Sequence, residues 1–230
     1  TAGNVLGRVA IWSGPGTGFR VSTGIDASNN CVVNVNATAV GTIPTTTQTM
    51  YCTAISETAL ARVANGDTDP AVVMVVRDSA LTYPEVYFFT QLSYTSSLTF
   101  TGDTHTNTVI DSIASTAALY PGQTLSGTGI AANTRIATIT SSTAITTTIA
   151  TTATNAGVTF TRSAIAKIID VDFPPNLSTP RGVVGNMIHA DGYALVVTSG
   201  GYLYVSDLNS LTAWSATSFV SADAKPDSAV

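Results

Sequence analysis

The residues with the clearest capacity for chemistry are two close carboxylate pairs, Asp67-Thr-Asp69 and Asp170-Val-Asp172. In an extended segment each pair carries both side chains on one face, an arrangement that glycosidic acid–base chemistry or a metal ion would use. Neither pair is followed by a third ligand or a glycine-spaced calcium loop, so both read better as loop-capping aspartates at strand ends. The two histidines, His105 and His189, lack the i, i+4 partner of a zinc helix. Cys31 and Cys52 fit no metal-ligand spacing. They read as buried thiols in strands, with a single bridge between neighbouring strands as the alternative in an oxidising compartment. A Cys52–His189 nucleophile pair has little behind it beyond the two residue types. No Gly-x-Ser-x-Gly elbow occurs, and Gly14-Pro-Gly-Thr-Gly18 lacks both the Gly-Lys-Ser/Thr ending and the helix of a phosphate loop. The sequence carries no signal for an enzyme or a cofactor.

Aromatic residues offer a different kind of site. Tyr202 and Tyr204 share one strand face, opposite Leu203 and Val205, with Trp214 and Phe219 downstream. Such a face suits a sugar, a protein partner or a neighbouring subunit. Sheet packing completed by a closing strand is the simpler reading.

The elements that would position these groups are strands. Charged residues make up only 10% of the 230, while hydrophobic residues reach 44%, so low charge here does not signal disorder. The acids are twelve Asp and two Glu, and Lys occurs only at 167 and 225. Turn formers thus outnumber helix formers, and Thr is the commonest residue, which together predict an all-β, antiparallel chain. The net charge of −5, with bases scattered singly, disfavours tight nucleic-acid binding. The longest apolar run, Ala71 to Val76, falls far short of the roughly 20 residues of a transmembrane helix.

Along the chain, Val9 to Trp12 and Phe19 to Val21 flank the Gly14–Gly18 turn. Cys31 to Thr38 alternates with period two and predicts one half-buried strand. Glu57 to Gly66 is the one serious helix candidate, but its neighbours favour a strand ending in an Asn65-Gly66 hairpin turn. Ala71 to Val76, apolar on both faces, predicts a central strand, and Pro84 opens the next, Val86 to Thr90. Strands follow at Gly182 to His189, Tyr193 to Thr198 and Tyr202 to Ser206, with turns at Asp191-Gly192 and Gly200-Gly201. These form an antiparallel meander such as one blade of a β-propeller.

Composition shifts near residue 101. Residues 101–161 hold 19 Thr, one base (Arg135) and two acids (Asp103 and Asp111). Short apolar pairs separated by glycine turns predict a small β-sandwich-like module. Its ends, Thr99-Phe100-Thr101 and Thr159-Phe160-Thr161, look alike and are expected to pair as neighbouring strands, allowing insertion into a host loop. The expected organisation is therefore a propeller-like host over 1–100, an inserted Thr-rich module over 101–161, and the host again over 162–230.

The C-terminal third resembles a known family. DFPPNLSTPRGVVGNMIHADGYALVVT (Asp172 to Thr198), YLYVSDL (Tyr202 to Leu208) and TAWSATSFVSADAKPD (Thr212 to Asp227) are similar to a pattern in the packaged-DNA stabilisation proteins, or tail hubs and nozzles, of short-tailed bacteriophages. The matching positions are Ser206, Trp214, Phe219, Ala222, Asp223, Pro226 and Asp227. Asp223 stands where Glu is usual, and the hydrophilic loop before Trp214 is longer. Residues 58–90 match loosely, 1–57 only in style, and the module resembles a Thr/Gly-rich unit of phage virion proteins. Family members are longer than this chain, so the resemblance implies an incomplete protein with further blades after Val230.

The resemblance also implies a non-enzymatic virion protein of the tail, assembled in the host cytoplasm. Its partners would be copies of itself in a ring, commonly a hexamer, the portal and adaptor, and other tail proteins. Viral DNA would pass through without sequence-specific binding, and no membrane insertion is expected. The alternatives are a receptor- or glycan-binding fibre or capsid decoration protein, and a propeller glycosidase using the Asp pairs.

Overall fold

The computed structural model describes residues 9–12, 19–43, 50–61, 68–78 and 82–221. Within them the chain is all-β, and every strand–strand pairing is antiparallel. The helical segments described are one short helix and one 3-10 turn.

The first sheet is a meander of β1 (Val9–Trp12), β2 (Phe19–Ile25), β3 (Cys31–Val35) and β4 (Thr38–Ile43). Trp12 pairs with Phe19, as expected for strands flanking Gly14–Gly18, a segment outside the described residues. The single strand expected over Cys31 to Thr38 is divided in two. Asn36 and Ala37 take φ of 50° and 68°, and Val35 pairs directly with Thr38 across them. Two consecutive left-handed residues make the tight hairpin turn whose twist matches its strands, and Asn tolerates that conformation well. Alternation continues through a two-residue turn, so periodicity alone does not reveal the break.

The central sheet begins with β5 (Met50–Ala61), β6 (Thr68–Asp78) and β7 (Glu85–Thr90). The segment from Glu57 is strand through Ala61, while Asn65-Gly66 lies outside the described residues. β6 pairs with β5 on one side and β7 on the other, and Ala71 to Val76 are all buried. Its apolar run follows from its position in the middle of three layers. Val72, Met74 and Val76 pack on Val21, Val33 and Ile43 of the first sheet, while Ala71, Val73 and Val75 pack on the C-terminal sheet. A short helix unforeseen in the sequence, α1 (Gln91–Thr95), follows β7. Thr90 and Ser93 cap it reciprocally, each side chain accepting the other's backbone N–H at 3.0 and 2.9 Å.

Beyond α1 the chain builds β8 (Thr99–His105), β9 (Val109–Asp111), β10 (Gln123–Gly127), β11 (Ile136–Ser141) and β12 (Ala144–Thr147). It returns along β13 (Thr154–Lys167). Thr99, Phe100 and Thr101 pair with Thr161, Phe160 and Thr159, as the likeness of these segments led us to expect. The same strand then pairs Ala166 and Lys167 with Phe88 and Tyr87, so its end supplies a fourth strand beside β5, β6 and β7. Residues 99–161 enclose their own apolar cluster, with Ile110, Ile136, Ile145 and Phe160 at 0% exposure.

The third sheet is a meander of β14 (Val183–Ala190), β15 (Tyr193–Thr198), β16 (Tyr202–Ser206) and β17 (Trp214–Ser221). Ala190 pairs with Tyr193 across Asp191 and Gly192, whose φ values of 49° and 83° form the expected hairpin turn. Gly201 at φ 77° closes the next turn by donating its N–H to the Thr198 carbonyl.

Candidate functional site

The family-like residues that are described gather on the third sheet, and they act first as fasteners. Ser206 is buried; its hydroxyl accepts the Ala194 N–H at 2.9 Å and donates to the Asp207 carbonyl at 2.9 Å. Trp214, 5% exposed, donates its indole N–H to the Leu211 carbonyl and lies 4.8 Å from the Phe173 ring. Its backbone N–H donates to Asp170 Oδ2 at 3.2 Å. The other Asp170 oxygen accepts the Asp172 N–H at 2.8 Å, and Asn176 Nδ2 donates to the Asp170 carbonyl. Asp170 therefore ties the loop before β14 to the start of β17, a structural use of this carboxylate pair. Of the other motif positions, Ala222, Asp223, Pro226 and Asp227 lie outside the described residues.

Tyr202, Tyr204 and Phe219 form one aromatic cluster, with ring centroids 5.2 to 6.4 Å apart. Tyr204 is only 1% exposed, and the Arg181 guanidinium sits 3.8 Å over the Tyr202 ring. Phe219 is the exposed member at 40%. The cluster thus packs the sheet more than it presents a stacking platform for sugar.

The opposite face of this sheet is aliphatic. Val184, Val197, Leu203 and Val220 stand side by side across β14, β15, β16 and β17, with Ile188, Leu195 and Val205 in the next row. Val220 is 66% and Ile188 57% exposed, and the others are half-buried. The outward face of the first sheet, by contrast, carries Ser22, Gly24, Val32, Asn34 and Thr42. Two sheets of the same topology therefore end the stack differently, one polar and one apolar, and a contiguous apolar face marks a contact surface.

The remaining candidates are dispersed. His105 Nε2 lies 3.0 Å from Asp111 Oδ1 at the surface of the module, whereas His189 is exposed on β14. Cys31 carries a buried thiol in β3; the side chain of Cys52 lies outside the described set, as do Asp67 and the side chain of Asp69. Among the described residues no three His, Cys, Asp or Glu side chains are grouped to hold a metal ion.

Sequence reasoning passed over three polar arrangements. Arg162 is buried in β13 beside α1, where it donates to the carbonyls of Ser93 at 2.8 Å and Ser97 at 3.0 Å. Glu85 accepts from both Lys167 and the Tyr87 hydroxyl. Burial, reinforced by that carboxylate, pushes the Tyr87 phenol far above its ordinary value. Arg135, visible in the sequence as the lone base of its region, donates from Nη1 to the Gly122 carbonyl at 2.7 Å. The periodic signal that locates strands is silent on such contacts, because it records which face of a strand is apolar and not which polar groups meet.

Fold and site together define an antiparallel β protein of stacked sheets with one face left apolar. The chain matches no protein-family model, no curated protein and no solved structure.

Proposed function

We propose that this chain is a structural protein of the virion of a short-tailed bacteriophage, a nozzle or hub at the DNA exit channel below portal and adaptor. The observation that carries the reading is the aliphatic outer face of the third sheet. A soluble chain that stacks three sheets and leaves the last one apolar is suited to assembly, since burying such a face gains roughly 25 cal/mol per Å². The Ser206, Trp214 and Phe219 positions support the same reading, because they build the sheet that presents this face. The role is non-enzymatic, its partners are further copies in a ring and the neighbouring tail proteins, and its acidic balance lets DNA pass without adhering.

The test is electron microscopy of the full-length gene product, alone and mixed with the portal–adaptor complex. A closed ring with a central channel is the expected result. A trimeric rod would overturn the proposal in favour of a receptor-binding fibre, and a monomer under both conditions would also end it. Tight DNA binding at physiological salt would separately remove the idea of a non-adhesive channel.

A further inference from the structure

A cleft of about 340 Å³ opens where the first sheet, the central sheet and the Thr-rich module meet. One side is the consecutive run Val40 to Ile43 of β4, the other is Ser163 to Ile165 of β13, and Thr124 and Arg135 of the module close it. At roughly 30 Å³ per water-sized group, it takes on the order of ten non-hydrogen atoms. That is the lower end of the range for small-molecule sites, which begins near 300 Å³.

Its chemistry is specific. Val40, Ile43, Leu98 and Ile165 provide branched aliphatic walls. Among the described lining residues Arg135 is the only charged one. Its Nη1 is committed to the Gly122 carbonyl, and among the described residues no carboxylate lies within ion-pair distance of it. A guanidinium has five N–H donors, so most of its capacity is unspent. Glu85 cannot supply the counter-charge, being engaged by Lys167 and by the hydroxyl of Tyr87, itself a lining residue. The site therefore joins an uncompensated planar cation to an aliphatic surface.

We infer that this cleft binds a small aliphatic carboxylate. A single guanidinium matches the two oxygens of a carboxylate, whereas a phosphate dianion calls for more positive charge than one Arg provides. A neutral ligand would cover Arg135 without pairing it, at the cost of desolvating a charge. A free branched-chain acid and the terminal carboxylate of a peptide ending in Leu share this chemistry. Because the lining comes from both sheets and the module, the bound acid also fastens the module against its host.

The experiment titrates the whole chain with 4-methylpentanoate and with its amide, followed by isothermal calorimetry and by NMR shifts. For so small an acid a Kd on the order of a millimolar is expected, with the amide about tenfold or more weaker. Arg135→Gln is expected to abolish the difference between acid and amide. Because Arg135 also ties Gly122, a second variant is used: Leu98→Glu, at a 39% exposed position, places a negative charge on the lining without removing any side-chain hydrogen bond. It is expected to weaken the acid at least tenfold with the thermal midpoint unchanged. Equal binding of acid and amide, wild-type affinity in the folded Leu98→Glu variant, or no binding at ten times the expected Kd overturns the inference. Acetyl-Ala-Leu, as acid and as amide, separates the two sources. Tighter binding of the peptide acid than of 4-methylpentanoate identifies a chain end, and the reverse order a free acid, both upholding the site.

Discussion

Among the described residues, Arg162 is the only charged side chain the fold takes inside, at 2% exposure. Burial pulls its pKa down to about 10, yet it remains charged at neutral pH. Among the described residues no carboxylate pairs with it; instead it donates to carbonyls of Ser93, Ser96, Ser97 and Ser163. The first three are at the end of α1, where helical carbonyls lack intrahelical donors. Arg162→Met keeps the stem and removes the donors, and is expected to cost about 2–4 kcal/mol through unsatisfied buried carbonyls; chemical denaturation measures it. Asp103 makes a pH-dependent contribution. Its carboxylate accepts the Gly157 N–H at 2.7 Å, and this bond, with the Ser112 hydroxyl second, holds its pKa below the ordinary aspartate value. A depressed folded pKa stabilises above the unfolded value and is lost as pH falls through the folded one. Wild type should therefore exceed Asp103→Asn in thermal midpoint at pH 7, with the gap closing progressively below about pH 4. A gap independent of pH would refute this.

At the scale of elements, the turn between β3 and β4 is paired correctly but imperfectly furnished. Ala37 adopts φ 68°, where a Cβ is unfavourable by about 1–2 kcal/mol relative to glycine. Glycine loses some of that gain to unfolded-chain entropy. Ala37→Gly should stabilise by about 0.5–1 kcal/mol and raise the thermal midpoint by about 2 °C, and a lowered midpoint would contradict the turn. Gly122, in contrast, cannot be replaced freely. At φ 90°, a Cβ there would lie 1.8 Å from the Lys167 carbonyl oxygen. Its carbonyl also accepts from Lys167 N–H and Arg135, so this one position joins the entry of β10 to the end of β13. The strand β13 is the element that matters most for organisation. Its first part pairs with β8 and its last residues with β7, so a single strand sets the register on both sides of the central sheet.

On the scale of the whole molecule, three sheets stack with β6 at the centre, and the stack is asymmetric. The polar outer face of the first sheet faces water at little cost, whereas the aliphatic face of the third leaves Val220 and Ile188 exposed. Val197 and Leu203 are directly paired near its middle. If the proposed ring forms through this face, the double substitution Val197→Glu with Leu203→Glu should leave far-UV circular dichroism intact and abolish ring assembly, read by sedimentation and electron microscopy. Persistent rings would place the subunit contact elsewhere.

The all-β class was legible in the sequence because it depends on local quantities: β-branched content, alternation, and turn residues at set intervals. The first three strands of the third sheet, the buried run Ala71 to Val76, and the pairing of Thr99–Thr101 with Thr159–Thr161 all followed from such patterns. A meander needs only neighbours in sequence, so its order is written in the turns. Two things were decided by tertiary structure. The first is where local continuity misleads, as at Asn36–Ala37, where a reversal of direction leaves the alternation unchanged. The second is every contact made across tens of residues, including Arg162 with the end of α1, Asp170 with Trp214, and the cleft beside Arg135. Local pattern sets which face of a strand is apolar, but only the packing of sheets decides whether that face is covered.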